Sequence, residues 1–380
     1  MNFYDVLIRF YENHLNDFHL LPEYHTTMQT SIEITISEEG EFLNIEKING
    51  SIVIPGTVQS IGRSNGTSPH ALFDNLTYLG NTIYDQDRYQ AYIAQLKQLI
   101  SDDAFPEYVK IIYRYLEKGT CYDDVMKSVD SLKKKQPQMI GVRIQIQTSD
   151  SVIRPWNDAN LIEKWIAYSD RILPRNGFDV IAGEKAYIPS KSPSKIRNDS
   201  DMAKLFIMNQ DSLDSMPPAF AGIKSMHKVC ASLSYLCRNN QYVCGNTYFL
   251  LWTDDGTLKN PLSFEHLEYT TDTVHCMALT GEMKGRISIV LTKDIEKSEY
   301  NRMMDIFTSL LEKRMYLTTI CNVSEITSLE REITLFLSTG YFSYNLYRGA
   351  LTRNAVSITC AILPLTKYGE GLLKKIETTV

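Results

Sequence analysis

Two stretches of this sequence gather side chains that could hold a polyanion or read the edge of a base. The first, residues 59–70, reads Gln-Ser-Ile-Gly-Arg-Ser-Asn-Gly-Thr-Ser-Pro-His. It places Arg63, Ser64, Asn65, Thr67 and Ser68 close together, with Asn75 shortly after. Arginine offers a fixed fork of donors, and asparagine presents a donor and an acceptor together. That mixture suits base edges or a clamped phosphate, and it equally suits an ordinary hydrogen-bonded loop. The second stretch runs from Gly183 to Asn209 and carries Lys185, Tyr187, Lys191, Lys195, Arg197 and Lys204. Residues 181–210 hold five basic residues against three acidic ones, a local balance of +2. Lys191, Lys195 and Arg197 with nearby serines fit a phosphate-backbone contact, and they fit a solvated loop face as well.

Catalytic chemistry finds no comparable support. The seven histidines at 14, 19, 25, 70, 227, 266 and 275 form no HxxxH or HExxH pattern. GxSxG and a phosphate-loop lysine motif are both lacking. Asp254-Asp255 could bind a divalent cation, but beside Gly256 a turn is the plainer reading. Glu184 and Glu282 are isolated acids, and His227 and His275 are bases to which the sequence assigns no partner. The expectation is a protein with no catalytic residues, no metal and no cofactor.

The elements that must position these loops are set by composition and periodicity. The chain has 380 residues, 43% hydrophobic and 22% charged, enough for one large core or two to three smaller ones. Its net charge of -6 argues against a free-standing protein that coats nucleic acid by bulk charge. A role on DNA must come from specific loops, or from partners that supply the charge. The sequence has no run of 18 uncharged apolar residues, and Met1 to Glu12 lacks the basic-then-apolar order of a secretion signal. A cytoplasmic protein without membrane contact is expected. The seven cysteines (121, 230, 237, 244, 276, 321, 360) form no CxxC pair, so reduced and mostly buried thiols are expected.

Residues 2–20 read as a helix striped by Phe3, Val6, Leu7, Phe10 and Tyr11. Residues 30–58 read as strands, with Ile32, Ile34 and Ile36 on one face, a turn at Gly40 and a stop at Pro55. Leu72, Phe73, Leu76, Tyr78 and Leu79 form an apolar anchor behind the first loop. Residues 86–135 are predicted mostly helical with a break near Pro106, and 139–148 return to strand. Helices follow at 157–170 and 223–238, strands at 246–253 and from Gly285, and helices at 296–314, 328–338 and 355–376. The irregular alternation indicates an α+β fold: mixed or antiparallel sheets with packed helices, in two lobes. The regions expected are 1–135 with the first polar loop, a central α+β part at 136–260, and an α+β to mainly helical part at 261–380.

The segment from Val53 to Gly80 also resembles a known signature. A proline-ended strand (Val53-Ile54-Pro55), a loop with Arg63-Ser64-Asn65-Gly66, and then Leu72-Phe73-Asp74-Asn75 with Tyr78 and Gly80 are similar to the large subunit of the type I-C CRISPR interference complex. Further echoes follow in that family's order. They are Gly183-Glu184-Lys185 through Pro189, Ser192-Pro193 with Lys195-Ile196, Lys204 through Asn209, Gly245-Asn246-Thr247 through Trp252, Arg286-Ile287-Ser288, and Tyr347-Arg348-Gly349 through Ala361. The resemblance covers roughly residues 1–375. Ser192 stands where the family has histidine, and its Asn-Ala-Pro-Val-Ser segment has no counterpart near Met216-Pro217-Pro218-Ala219. Family members continue into a helical C-terminal region that packs like the complex's small subunit. The resemblance therefore casts this chain as compact or lacking that region.

The resemblance implies an antiviral, RNA-guided surveillance complex in which guide RNA reads the target and this subunit reads a short adjacent motif on duplex DNA. It places Arg63, Ser64, Asn65, Thr67, Ser68 and Asn75 at the DNA, with Asn65 on base edges or acting as a wedge and Arg63 on phosphate. Lys185, Lys191, Lys195, Arg197 and Lys204 would hold nucleic-acid backbone, of DNA or of the guide's 5′ end. The partners implied are guide RNA, target double-stranded DNA, the backbone and RNA-processing subunits, a small subunit, a nuclease-helicase and phage inhibitors. An interaction subunit that never touches DNA is the competing reading.

Overall fold

A computed structural model of the protein describes residues 3–61, 63, 66–102, 104–207, 219–239, 243–244, 247–258, 273–281, 285–302, 305 and 309. The fold is α+β, and it divides into two compact units. One comprises Tyr11–Lys195 and Phe206–Ala231; the other comprises Met1–Phe10, Ile196–Leu205 and Ser232–Val380.

Helix α1 (Phe3–His14) opens the chain, with the apolar stripe expected of it. Strands β1 (His25–Ser37) and β2 (Phe42–Pro55) form an antiparallel hairpin that turns at Gly40, whose φ of 80° explains the glycine. Ser51 to Pro55 is the end of this long strand, which stops at Pro55 as expected. β3 (Asp74–Asn75) and α2 (Leu76–Leu79) follow the first polar loop. Helices α3 (Gln86–Ile100), α4 (Tyr108–Glu117) and α5 (Cys121–Ser128) come next, with Pro106 in the break between α3 and α4.

β4 (Gly141–Gln147) then inserts parallel to β1, and β5 (Val152–Ile153) pairs with its end. The resulting mixed sheet runs β2-β1-β4-β3. Its covered face is the alternation read from sequence: Ile32, Ile34 and Ile36 of β1 and Val142, Ile144 and Ile146 of β4 are fully buried. Tyr92 and Leu96 of α3, Ile112 and Leu116 of α4, and Trp165 of α6 (Ala159–Ile172) belong to the same core. The opposite face is polar and paired in register. Arg143 Nε donates to Glu33 at 2.6 Å, and Gln145 donates to Thr35 at 3.0 Å. Gly141 is required where β4 meets β1, because a Cβ there would overlap the Gln29 carbonyl.

A three-stranded sheet, β7-β6-β8, joins β6 (Gly177–Asp179), β7 (Glu184–Ala186) and β8 (Ala219–Phe220). Helix α7 (Ile223–Asn239) follows, and buried Asp179 accepts from Ser225 Oγ at 2.6 Å near its start. In the other unit, β9 (Val243–Cys244), β10 (Thr247–Thr253), β11 (Thr273–Thr280) and β12 (Ser288–Glu296) form an antiparallel sheet in the order β12-β11-β10-β9. The helices expected at 328–338 and 355–376 lie outside the described residues, as does most of 303–314.

Cys121, Cys230, Cys237 and Cys276 are buried, and α7 carries both Cys230 and Cys237. Burial pushes the thiols of Cys121, Cys237 and Cys276 up to about 12, so they stay protonated and inert at neutral pH. Among the described residues, no helix is long and apolar enough to cross a membrane.

Candidate nucleic-acid interface

The first polar loop is suspended between two fixed ends of the mixed sheet. Pro55 closes β2, and Gly56 N donates to Tyr24 O at 2.9 Å. Thr57 and Ser60 then bond reciprocally: Thr57 N donates to Ser60 Oγ at 2.9 Å and Ser60 N to Thr57 Oγ1 at 3.1 Å. At the far end Asp74 pairs with Val142 and Asn75 with Gly141, which fastens the loop's exit to β4. Ala71, Leu72, Phe73, Leu76 and Leu79 are fully buried behind it.

Arg63 and Asp74 connect these ends from below. The Arg63 guanidinium forms an ion pair with Asp74, donates to Ser68 O at 2.5 Å, and lies 4.1 Å from the Tyr78 ring centroid. Asp74 is 1% exposed and also accepts from the backbone N–H groups of His70 and Asn75, each at 2.8 Å. Burial raises its carboxyl above the usual range, and the Arg63 charge acts against that rise. His70 Nδ1 lies 2.8 Å from Ser60 Oγ. Burial holds the His70 imidazole well below its ordinary value, with Arg63 and then Lys195 adding to the effect, so it is neutral. Tyr78 OH donates to Gly66 O at 2.8 Å. Asn75 is the N-cap of α2 and accepts from Thr77 N at 3.1 Å.

The residues expected at DNA therefore separate into a base and a tip. Arg63, Ser68 and Asn75 bond within the loop's support, while Thr67 is exposed. Ser64 and Asn65 lie outside the described residues. Asp74, the hub, was not among the residues expected to act. Its signal was an acid standing alone in the apolar run from Ala71 to Leu79.

The second stretch spans both units. Lys185 is exposed on β7, and Lys191 is exposed while its backbone bridges Ile207. Lys195 adopts φ 66° and donates from Nζ to Thr27 O at 2.7 Å. Its charge also reaches His70, which brings it near the first loop. Arg197 and Lys204 belong to the other unit. Arg197 grips Asp201 with two nitrogens, at 2.8 and 2.9 Å, and it packs so closely on Gly281 that a Cβ there would collide. Lys204 is 8% exposed, and its backbone bonds to Gly285 and Ile287.

The two histidines considered as bases have different settings, and Glu282 lies outside the described residues. His275, to which the sequence assigns no partner, lies between Asp294 (2.8 Å from Nδ1) and Asp254 (2.9 Å from Nε2). Both ring nitrogens are thus taken up by carboxylates. His227 is buried in α7, and burial pushes its imidazole down to about 3. Among the described residues, no cluster of His, Cys, Asp and Glu is arranged to hold a metal ion.

An α+β chain with a polar loop braced on a mixed sheet is the class that this geometry defines. The model of the family described as CRISPR-associated protein (Cas_Csd1) matches residues 7–338, and the chain belongs to that family. No curated protein matches it.

Proposed function

We propose that this protein is the large subunit of a type I-C-like CRISPR surveillance complex and acts without catalysis of its own. In this reading it recognises the target-adjacent motif on duplex DNA, anchors the 5′ end of the guide RNA, and scaffolds assembly with the backbone and RNA-processing subunits. The observation that carries the reading is the bracing of the loop around Arg63 by buried Asp74, in a chain of a CRISPR-associated family. A tip held on a rigid base reaches a groove with little ordering cost. Arg63 sets the loop's shape, and reading the motif is assigned to Ser64, Asn65 and Thr67. Exposed Lys185 and Lys191 hold backbone phosphate.

Asn65→Ala tests the assignment. The variant complex should assemble with guide RNA but lose motif preference by about 1–3 kcal/mol, the worth of one good base contact. Binding assays on duplexes with and without each motif read this out, and an unchanged preference would sink the role given to Asn65. One observation favours the second reading, an interaction subunit without DNA contact. Arg63 and Arg197 are both already engaged by buried carboxylates. That reading expects the chain to join the complex while leaving its DNA affinity unchanged.

A further inference from the structure

Within one unit, the start of β1 and the first half of α7 meet at two histidines. His25 is 1% exposed and His227 is 3% exposed. His25 Nδ1 lies 2.7 Å from Glu23 O, which can only accept, so Nδ1 carries the proton and Nε2 is a bare acceptor. Among the described residues, the Nε2 atoms of both rings are buried without a hydrogen-bond partner. Tyr24, next to His25, adopts φ 58°, a left-handed conformation that a bulky side chain takes only under constraint. Its carbonyl accepts from Gly56 N at 2.9 Å and from Trp165 Nε1 at 3.0 Å. Its hydroxyl donates to Asp170 at 2.7 Å, and its ring lies 5.8 Å from that of His227.

Charged groups close this joint. Lys224 pairs with Glu23 at 3.2 Å and with Asp170 at 2.7 Å. Lys228 pairs with Glu12 at 2.6 Å and with Glu23 at 3.6 Å, and it lies 6.0 Å from the Tyr11 ring centroid. Burial raises the Tyr11 and Tyr24 hydroxyls, so both stay neutral. Three carboxylates thus face two ammonium groups, and neither Nε2 bonds to any of them.

We propose that this joint is an acid-released latch: a proton taken up by His25 or His227 frees the first half of α7, Ile223–Ala231, from the start of β1 while the mixed sheet stays folded. A second N–H on either ring would be a buried donor with no acceptor, and two charged rings would repel each other. Burial accordingly holds His25 at about 4 and His227 at about 3, and the His25 charge adds to the second effect. Opening hydrates both rings, returns them to about 6.5, and lets Tyr24 leave its constrained conformation. The closed joint is therefore fully stable above pH 6.5 and is lost as pH falls from there towards 4. The ion pairs of Lys224 and Lys228 are partly exposed and add little to hold it shut.

Hydrogen exchange on the full chain, read by mass spectrometry and corrected for the intrinsic effect of pH, tests the latch. A helix freed from its packing frays, so its amides exchange. From pH 7.5 to 5 the amides of Ile223–Ala231 should lose at least about thirtyfold in protection. That is the factor by which one imidazole rising from about 4 to about 6.5 favours opening at pH 5. Strand β4 should remain unexchanged at pH 5 over the same time. The double variant His25→Gln/His227→Gln should keep its pH 7.5 protection at pH 5. Exchange of α7 and β4 together would overturn the proposal, because the chain would then be unfolding as a whole. Protection of Ile223–Ala231 that does not change with pH would overturn it as well. Both outcomes are read on the wild-type chain, so a variant that fails to fold leaves the decision intact.

Discussion

Asp74 shows how one buried acid can fix the shape of an exposed loop. Its carboxylate is almost wholly buried, and Arg63 is its counter-charge. Arg63→Ala removes the partner and leaves the acid stranded, which for a buried pair costs about 3–5 kcal/mol. Denaturant unfolding should show a loss of that order, larger than for Asp74→Asn, and a loss below about 1 kcal/mol would contradict the bracing role. A second prediction concerns His25 and His227, whose Nε2 atoms are buried without a hydrogen-bond partner among the described residues. Burial pushes His25 down to about 4 and His227 to about 3, from an ordinary 6.5. The unfolded chain therefore takes up protons near pH 6.5 that the folded chain refuses until far lower pH. Stability is complete above 6.5 and is lost as pH falls from there towards 4 and below, at about 1.4 kcal/mol per unit for each group. The Tm should drop by several degrees between pH 7.5 and 5, and His227→Gln should flatten that drop. A pH-independent Tm would refute it. At this scale the sequence shows where polar and basic side chains gather. It did not reveal that Arg63 and Arg197 are spoken for, because their partners Asp74 and Asp201 are identified only by burial and geometry.

Elements with long, clean periodicity were legible. The alternation through Ile32, Ile34 and Ile36 stands where expected, and the helix expected from residue 86 buries Tyr89, Tyr92, Ile93 and Leu96 in the same core. β11 was not legible. It is a central strand whose residues from Val274 to Thr280 are all buried, so no polar face alternates with the apolar one. Strands of two or three residues, such as β3, β6 and β8, are too short to show a period; pairing with neighbours defines them. The β1–β4 contact offers the sharpest test of an element. Gly141→Ala drives a methyl group into the Gln29 carbonyl, and the fixed backbone cannot yield as a side chain would. A loss of about 1–3 kcal/mol is expected, and a neutral result would contradict the β1–β4 approach.

For the whole molecule, a net charge of -6 means that DNA affinity cannot rest on bulk attraction by this chain. The second basic stretch makes the point concrete. Lys185 and Lys191 lie in one unit, while Arg197 and Lys204 lie in the other. If Lys185 and Lys191 each neutralise a phosphate, replacing both by alanine should lower the slope of log affinity against log salt by about 2. An unchanged slope would remove them from the interface. The family was legible as an ordered series of motifs along the chain, which no single loop could have supplied.

The central claim is tested most directly by co-expressing this chain with the backbone and RNA-processing subunits and guide RNA. Duplex binding is then measured with and without the adjacent motif, at two salt concentrations. The account predicts an assembled, guide-bearing complex that binds the motif-bearing duplex at least about tenfold more tightly, a preference that persists at the higher salt. An assembled complex that binds both duplexes equally would contradict it.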